Sequence, residues 1–583
     1  MLKNYIKTAF RAIIRDKGFT LINVLGFSIG IACTILILIW VQDELSYDKD
    51  HVKKDHIHRV LAKVPTGEGM LKVGVTPAAL APLLEEELPE IKKATRFKSI
   101  NEMTFIKGEK KFREEYSGIA ETKLFSIFTF PFIEGNPKTC LDDPHSIVLT
   151  EKLAKKYFGE ESALGKEIEL LGVGLFKVTG VIENVSHCHF QFNYLIPFEW
   201  ARSFFNDNID ELGSFNYTTY ILTKEGTDIE ELNKKIEPFF NKHADKNRTD
   251  DEKYSRLFLQ NLTDIYLRSD FSYDFTYRGD IKDVFTFSAV ALIILLIASI
   301  NFMNLTTARS ANRAKEIGVR KVQGALRKHL IAQFYIESAL VTFISFILAL
   351  LFVELAMPHF NNLSGKELSQ NILRDPVIII SYLTLALTTS IFAGSYPALY
   401  LSSFQPVKVL KGKLRGGSRS GSFRKILVII QFSISIGLII SSIVVNKQLN
   451  YIKNKDLGYN KENLVGTWRR GEINTGYKLF KKRLLASPHI THVSSISNPI
   501  SYAGPSQSIN NWDGNAGDRS IRMHFHSVDY DIIETLGVEI LKGRSFTHMY
   551  NDDSSTVFLI NKKKKKKMGF TEPIGKTMTI GNQ

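Results

Sequence analysis

Five long apolar runs decide what this chain can fold into: Thr20–Val41, Val284–Leu305, Leu330–Val353, Val377–Leu401 and Ile426–Asn446. Four hold no charged residue, and the third holds only Glu337, near its start. A helix needs about 20 apolar residues to cross a bilayer core, and no soluble domain of ordinary design needs five such runs. Membrane-spanning helices are therefore expected at 20–41, 284–305, 330–357, 377–401 and 426–446. Two large polar blocks, 42–283 and 447–583, lie between the first two spans and after the fifth. The expected fold class is membrane α-helical with extracytoplasmic α+β domains.

Charge sorting orients the spans. Before the first lie Lys3, Lys7, Arg11, Arg15 and Lys17, against Asp16 alone. Between the second and third lie Arg309, Arg313, Lys315, Arg320, Lys321, Arg327 and Lys328, against Glu316. Between the fourth and fifth lie Lys408, Lys411, Lys413, Arg415, Arg419, Arg424 and Lys425, with no acid. Short basic loops stay cytoplasmic. The N-terminus and the segments 306–329 and 402–425 are thus expected inside, and both large blocks and the loop 358–376 outside. This suits a multi-pass protein of a bacterial inner membrane. Much of the formal net charge of +15 reflects the sorting, so the basic loops imply lipid contact rather than nucleic acid.

The first run is longer than the 7–15 residue core of a signal peptide and has no small-x-small cleavage site, so it reads as a retained anchor. Within residues 1–19, Leu2, Tyr5, Ile6, Phe10, Ile13 and Ile14 share one helical face, and Lys3, Lys7, Arg11 and Arg15 another. That pattern suits a helix lying in the inner headgroup layer. Gly26-x-x-x-Gly30 and Thr34 give the span a small-residue face for close helix contact. Of three cysteines, Cys33 lies in this span, while Cys140 and Cys188 share the first outer block, where they can pair or stay free thiols.

The first outer block mixes strand-like runs (Phe176–Ile182, Tyr217–Leu222) with helix-like ones (Ala79–Glu87, Ser146–Tyr157, Asp228–Asn241). The second partly repeats it. Ser146-Ile-Val-Leu-Thr150 through Gly159 and Ala163-Leu-Gly-Lys166 align with Thr556-Val-Phe-Leu-Ile560 through Gly569 and Pro573-Ile-Gly-Lys576, at a constant offset of 410 residues. Phe132-Ile-Glu-Gly135 resembles Ile540-Leu-Lys-Gly543 at an offset of 408. Such a repeat implies two copies of one unit, a span, an outer domain and further spans. On that pattern about three more C-terminal spans are expected beyond Gln583.

The stretch Asn301–Ala325, with its ordered Glu316-Ile-Gly-Val-Arg-Lys321 and Gly324-Ala325, continues through Gln333-Phe-Tyr-Ile-Glu-Ser338. Together with Ala393-Gly-Ser-Tyr-Pro-Ala-Leu-Tyr-Leu401, Pro406-Val-Lys-Val-Leu-Lys-Gly412 and His189-Phe-Gln-Phe192, it resembles the FtsX-like permeases of ABC transporters with a MacB-like periplasmic core domain, in their duplicated, eight-span form. The resemblance implies that 306–329 is a coupling segment seated in a separate ATPase subunit, with Arg313, Glu316, Gly318, Arg320, Lys321 and Gly324 its characteristic residues. In physical terms, Glu316, Arg320 and Lys321 offer charge-assisted contacts to a soluble partner, and Gly318 and Gly324 offer bends or close backbone approach. Gly394, Tyr396 and Pro397 are expected to serve kinking and packing in the fourth span.

No motor of the chain's own is legible. Gly569-Phe-Thr-Glu-Pro-Ile-Gly-Lys-Thr577 has five residues between its glycines where a phosphate loop needs four, and it lies outside. It reads as a turn beside a strand. His187-Cys188-His189 would set two imidazoles on one face of a strand, a possible metal pair beside His51, His56 and His58, but a packed pair suits the missing further ligands better. Lys562–Lys567 is a run of like charges that spoils its helix's apolar face. Catalytic, cofactor and metal sites are expected absent, with ATP–Mg held by a cytosolic ABC ATPase dimer. The implied function is export or release of an envelope substrate by movement of periplasmic domains, with a periplasmic adaptor or a lipoprotein, peptide or antibiotic as further partner. The competing reading is a membrane receptor or scaffold that senses an outer ligand without transport.

Overall fold

The apolar runs form helices in the computed structural model, which describes residues 2–580 apart from 16, 67–68, 101, 206–208, 210–211, 213–214, 244–254, 309–316, 369–375, 403–417, 470–471, 502–503, 505, 516–518, 520 and 548–556. We label them α1 (Leu2–Arg15), α2 (Lys17–Ser46), α3 (Ile281–Ala308), α4 (Arg327–Ser364), α5 (Pro376–Ser402) and α6 (Ser418–Asn454). All but α1 are long and apolar enough to cross a membrane. α2 packs on α3 and α4, and α4 on α5. Contact is closest where small residues face each other. A Cβ added to Gly30 would stand 2.5 Å from the Ala298 Cβ, and one on Gly394 3.0 Å from the Ser338 Cβ. Between these points Phe27, Ile31, Ile35 and Ile39 interdigitate with Leu295, Phe346 and Val353. None of α6's apolar stretch is buried.

α4 holds 38 residues, about 57 Å at 1.5 Å per residue. It therefore projects past the roughly 30 Å hydrocarbon core at one or both ends. Pro358 lies within it and removes one backbone hydrogen bond without ending it. Gly365 closes it in the left-handed conformation, its N–H donating to the Asn361 carbonyl at 2.9 Å.

The first outer block is built on fourteen strands among the described residues. Its main path runs Arg256–Asn261, Ile57–Thr66, Phe215–Thr223, Ile91–Ile100, Ser117–Ala120, Tyr194–Pro197, Ser146–Thr150, Gly174–Ile182, Glu167–Leu170, Met103–Lys107, Lys110–Glu114. The pairing of Ser146–Thr150 with Gly174–Ile182 is parallel, and the helix Glu151–Phe158 follows the first of them. Here the sequence expectation needs correction, because 146–157 is not one helix. Ile147, Val148 and Leu149 are buried in the middle of the sheet, and a short apolar run buried on both faces has no period that separates strand from helix. Likewise 228–241 divides into Ile229–Ile236, capped by the Asp228 carboxylate, and Phe239–His243. Pro238 lies between them, lacking the N–H and free φ a continuous helix needs.

Two ties fix this domain to the membrane helices. Arg59, fully buried in Ile57–Thr66, makes a bidentate pair with Asp274 at 2.9 and 3.0 Å and also donates to Gln260 and Ser269. This holds the chain just before α3. Just after α2, the Asp48 N–H donates to the His187 carbonyl, and the Asp48 carboxylate accepts from His189.

In the second outer block the repeat survives unevenly. Lys562–Met568 forms a helix at the place of Glu151–Phe158. Gly543, Gly569 and Gly575 take positive φ, as do Gly135, Gly159 and Gly165 at the matched positions. Residues 557–561, however, are not a strand like Ser146–Thr150. A strand needs hydrogen-bonded neighbours, and none flanks them among the described residues. The local core is small, with Trp512 and Met568 packed beside Ile509, Ile521 and Met523.

Candidate coupling site

The segment between α3 and α4 is described from Ile317 onward; Arg313 and Glu316 lie outside the described residues. Residues 317–322 are helical. Ile317 is buried against Leu330 and Phe334 of α4 and Ala398 of α5. Gly318 beside it is buried too. The two cations turn inward. Arg320 Nη1 donates to Gln333 Oε1 at 2.6 Å. Lys321 Nζ donates to the Ser402 carbonyl at 2.7 Å, a favourable place for a cation because the last carbonyls of a helix carry partial negative charge. Burial, and then the nearby Arg327 charge, holds the Lys321 ammonium below its ordinary range. The structure thus gives Arg320 and Lys321 contacts within the chain, where the sequence suggested contacts to a soluble partner.

Three apolar side chains are exposed here, Val319, Val322 and Leu326, at 46%, 67% and 54%, alongside exposed Gln323, Arg327 and Lys328. Sequence reasoning passed over them. Val319 and Val322 lie three residues apart on one side of the 317–322 helix, and Leu326 lies beyond the turn, at the N-terminal cap of α4. Gly324 ends the helix at a φ of +93° with open space about it, a turn that only glycine makes without strain. In α5, Gly394 lies against Ser338, Tyr396 is half-buried, and Pro397 is buried next to Ala398 inside a helix that runs on to Ser402. The 317–322 helix, the start of α4 and the end of α5 therefore form one packed block.

The histidine motif of the outer domain does not make a strand pair. His187 takes a φ of +48°, and the two imidazoles part. His187 Nε2 lies 2.7 Å from Asp43 Oδ1. His189 is buried between Asp48 Oδ1 at 2.7 Å and the Tyr220 hydroxyl at 2.8 Å. Cys188 instead joins Asp48 and His51 in a fully buried trio whose donor atoms lie within 4.8 Å of one another. Its chemistry does not suit a cation. The Thr129 N–H donates to His51 Nδ1 at 3.1 Å, so a neutral imidazole carries its proton on Nε2, the atom that faces Cys188 and Asp48. Burial pulls His51 down to about 4 and keeps it neutral. Burial also pushes the Cys188 thiol well up. Cys188 and Cys140 are both free thiols in the domain core. The glycine-lysine-threonine turn at 575–577 is occupied as well. Thr577 donates its N–H and hydroxyl to the Asp513 carboxylate, both at 2.9 Å, so an acid already sits where a phosphate would have to.

Comparison with known proteins adds to this geometry. The sequence model of the MacB-like periplasmic core domain matches residues 20–239, and that of the FtsX-like permease C-terminal region matches 288–406. An uncharacterised ABC transporter permease of Methanocaldococcus jannaschii is 22% identical over 431 residues, 70% of this chain and 98% of that protein. The permease YvrN of Bacillus subtilis is 24% identical over 432 residues, 70% of this chain and 99% of that one. The macrolide export ATP-binding/permease protein MacB of Bdellovibrio bacteriovorus is 26% identical over 270 residues, 45% of this chain and 38% of that protein.

Proposed function

We propose that this chain, which belongs to the FtsX-like permeases of ABC transporters carrying a MacB-like periplasmic core domain, converts ATP hydrolysis by a separate cytosolic ATPase dimer into movement of its outer domains. The single observation that carries the reading is the packed cytoplasmic block. A short helix is clamped to the ends of two membrane helices through Ile317, Arg320 and Lys321, while Val319, Val322 and Leu326 are left exposed. A lever must be fixed to what it moves and open to what drives it, and this segment meets both conditions. Desolvated apolar anchors contribute more to an interface than rim charges do, so Val319, Val322 and Leu326 are the contacts the ATPase grips. The chain works in a bacterial inner membrane with its N-terminus and coupling segment inside, as the basic loops favour. Its load is an envelope substrate already outside the membrane, of the lipoprotein, peptide or amphiphilic antibiotic class.

The test is affinity purification of the full chain from its native membrane. It should bring down vanadate-sensitive ATP hydrolysis. Val322→Glu sets a charge among the exposed apolar side chains without touching the inward contacts, and should abolish co-purification. An undiminished ATPase yield with Val322→Glu would overturn the reading.

A further inference from the structure

Deepening the reading above, and resting on it, we propose that Lys366 is the joint through which α4 delivers its movement to the foot of the first outer domain. Lys366 stands two residues beyond the end of α4, just past the left-handed turn at Gly365. Its ammonium lies 2.5 Å from Asp43 Oδ2 and 2.5 Å from Glu44 Oε1, and all three side chains are largely buried. Asp43 and Glu44 belong to the last turn of α2, where the chain enters the outer domain. The other oxygen of Asp43 meets His187 Nε2 at 2.7 Å, so one carboxylate ties loop to domain. Glu44 faces the approach to α3 as well, since a Cβ on Gly279 would stand 2.6 Å from its Oε2. The ammonium also sits over the rings of Trp40 and Tyr47, at 5.7 and 5.3 Å. Tyr47 in turn stacks on Tyr266 of the domain, with ring centroids 3.6 Å apart.

One cation thus touches the exit of the first span and, through a single shared group, the domain itself. Its backbone has little freedom to drift. Leu368, two residues on, is buried in the bundle with Met357 and Tyr382, and the Asn361 side chain holds the Leu368 carbonyl. The opposite end of α4 bears Leu330 and Phe334, the seat of the coupling segment. A single helix therefore runs from the cytoplasmic block to this clamp. Asp43 and Glu44 share the ammonium, and Asp43 alone also meets the imidazole, so release of either carboxylate would leave a second, discrete pairing. Switching elements need such discrete alternatives rather than continuous give.

The experiment uses the full chain in lipid nanodiscs, with Cys33→Ala and spin labels at two exposed positions, Lys138→Cys on the domain and Leu363→Cys at the outer end of α4. The parent should give one narrow label-to-label distance distribution by pulsed electron resonance. Lys366→Met should broaden it, and Lys366→Arg should keep it narrow. The double change Asp43→Asn with Glu44→Gln, which retains shape and leaves Lys366 in place, should broaden it like Lys366→Met. Adding the co-purified ATPase with ATP and vanadate should shift the parent distribution and leave Lys366→Met unshifted. Unchanged width in Lys366→Met, or equal shifts in both proteins, would overturn the joint. The width is read without the ATPase, so a failure of ATPase association, seen in the purification test, is a separate result.

Discussion

His187 shows how one residue sets a condition on the outer foot. The hydrogen bond to Asp43 raises it above the ordinary histidine range; burial and the Lys366 charge oppose that rise, and Asp50 assists it. Asp43 faces it from α2, Tyr47 from just beyond the end of α2, and Lys366 from the loop after α4. Because the folded value exceeds the unfolded one, the contact's stabilisation is full below about pH 6.5 and fades as pH rises through the raised value. His187→Gln should therefore flatten the dependence of unfolding temperature on pH between about 6 and 8. The imidazole is more than a third exposed, so the difference should stay below about 1 kcal/mol. A variant that keeps the parent's slope would show that the pair does not titrate in this window. None of this was legible in the sequence, where His187 and His189 looked like neighbours on one strand face. A positive φ at His187 turns them apart, and local sequence does not announce a left-handed histidine. Nor does the order of charges say that Arg320 reaches Gln333 and Lys321 the Ser402 carbonyl.

Elements were read better than residues. All five apolar runs became helices, because about 20 residues without charge have little alternative. The Gly26/Gly30 spacing pointed to a close contact, and α3 fills it. Lateral arrangement was otherwise hidden, since lipid-facing and helix-facing positions are both apolar. α6 gives a contrast. A Cβ on Gly437 meets nothing within 4 Å, whereas one on Gly30 meets Ala298 at 2.5 Å. Gly30→Val should destabilise the bundle by about 1–3 kcal/mol through overpacking. Gly437→Val should fall within about 0.5 kcal/mol of the parent. Thermal unfolding in detergent reads both, and equal losses would mean that α6 is covered in solution.

At the scale of the whole molecule, the outer domain hangs on two stalks, each pinned by a buried acid, Asp48 after α2 and Asp274 before α3. Asp274→Ala would leave the Arg59 guanidinium buried and unpaired, which costs about 3–5 kcal/mol. Urea unfolding should show that loss. Replacing Arg59 and Asp274 together by leucine should cost less than Asp274→Ala alone, and a larger loss in the double variant would contradict the argument. The division into spans and outer blocks was visible in composition and charge, but these two pins were not, because Arg59 and Asp274 stand 215 residues apart. Length has its own mechanical meaning here. A beam of about 57 Å, pivoted near its middle, turns a tilt of about 5° at the cytosolic face into roughly 2–3 Å of sideways travel at Lys366. That displacement is comparable to the reach of an ion pair, which is the scale the proposed joint at Lys366 requires.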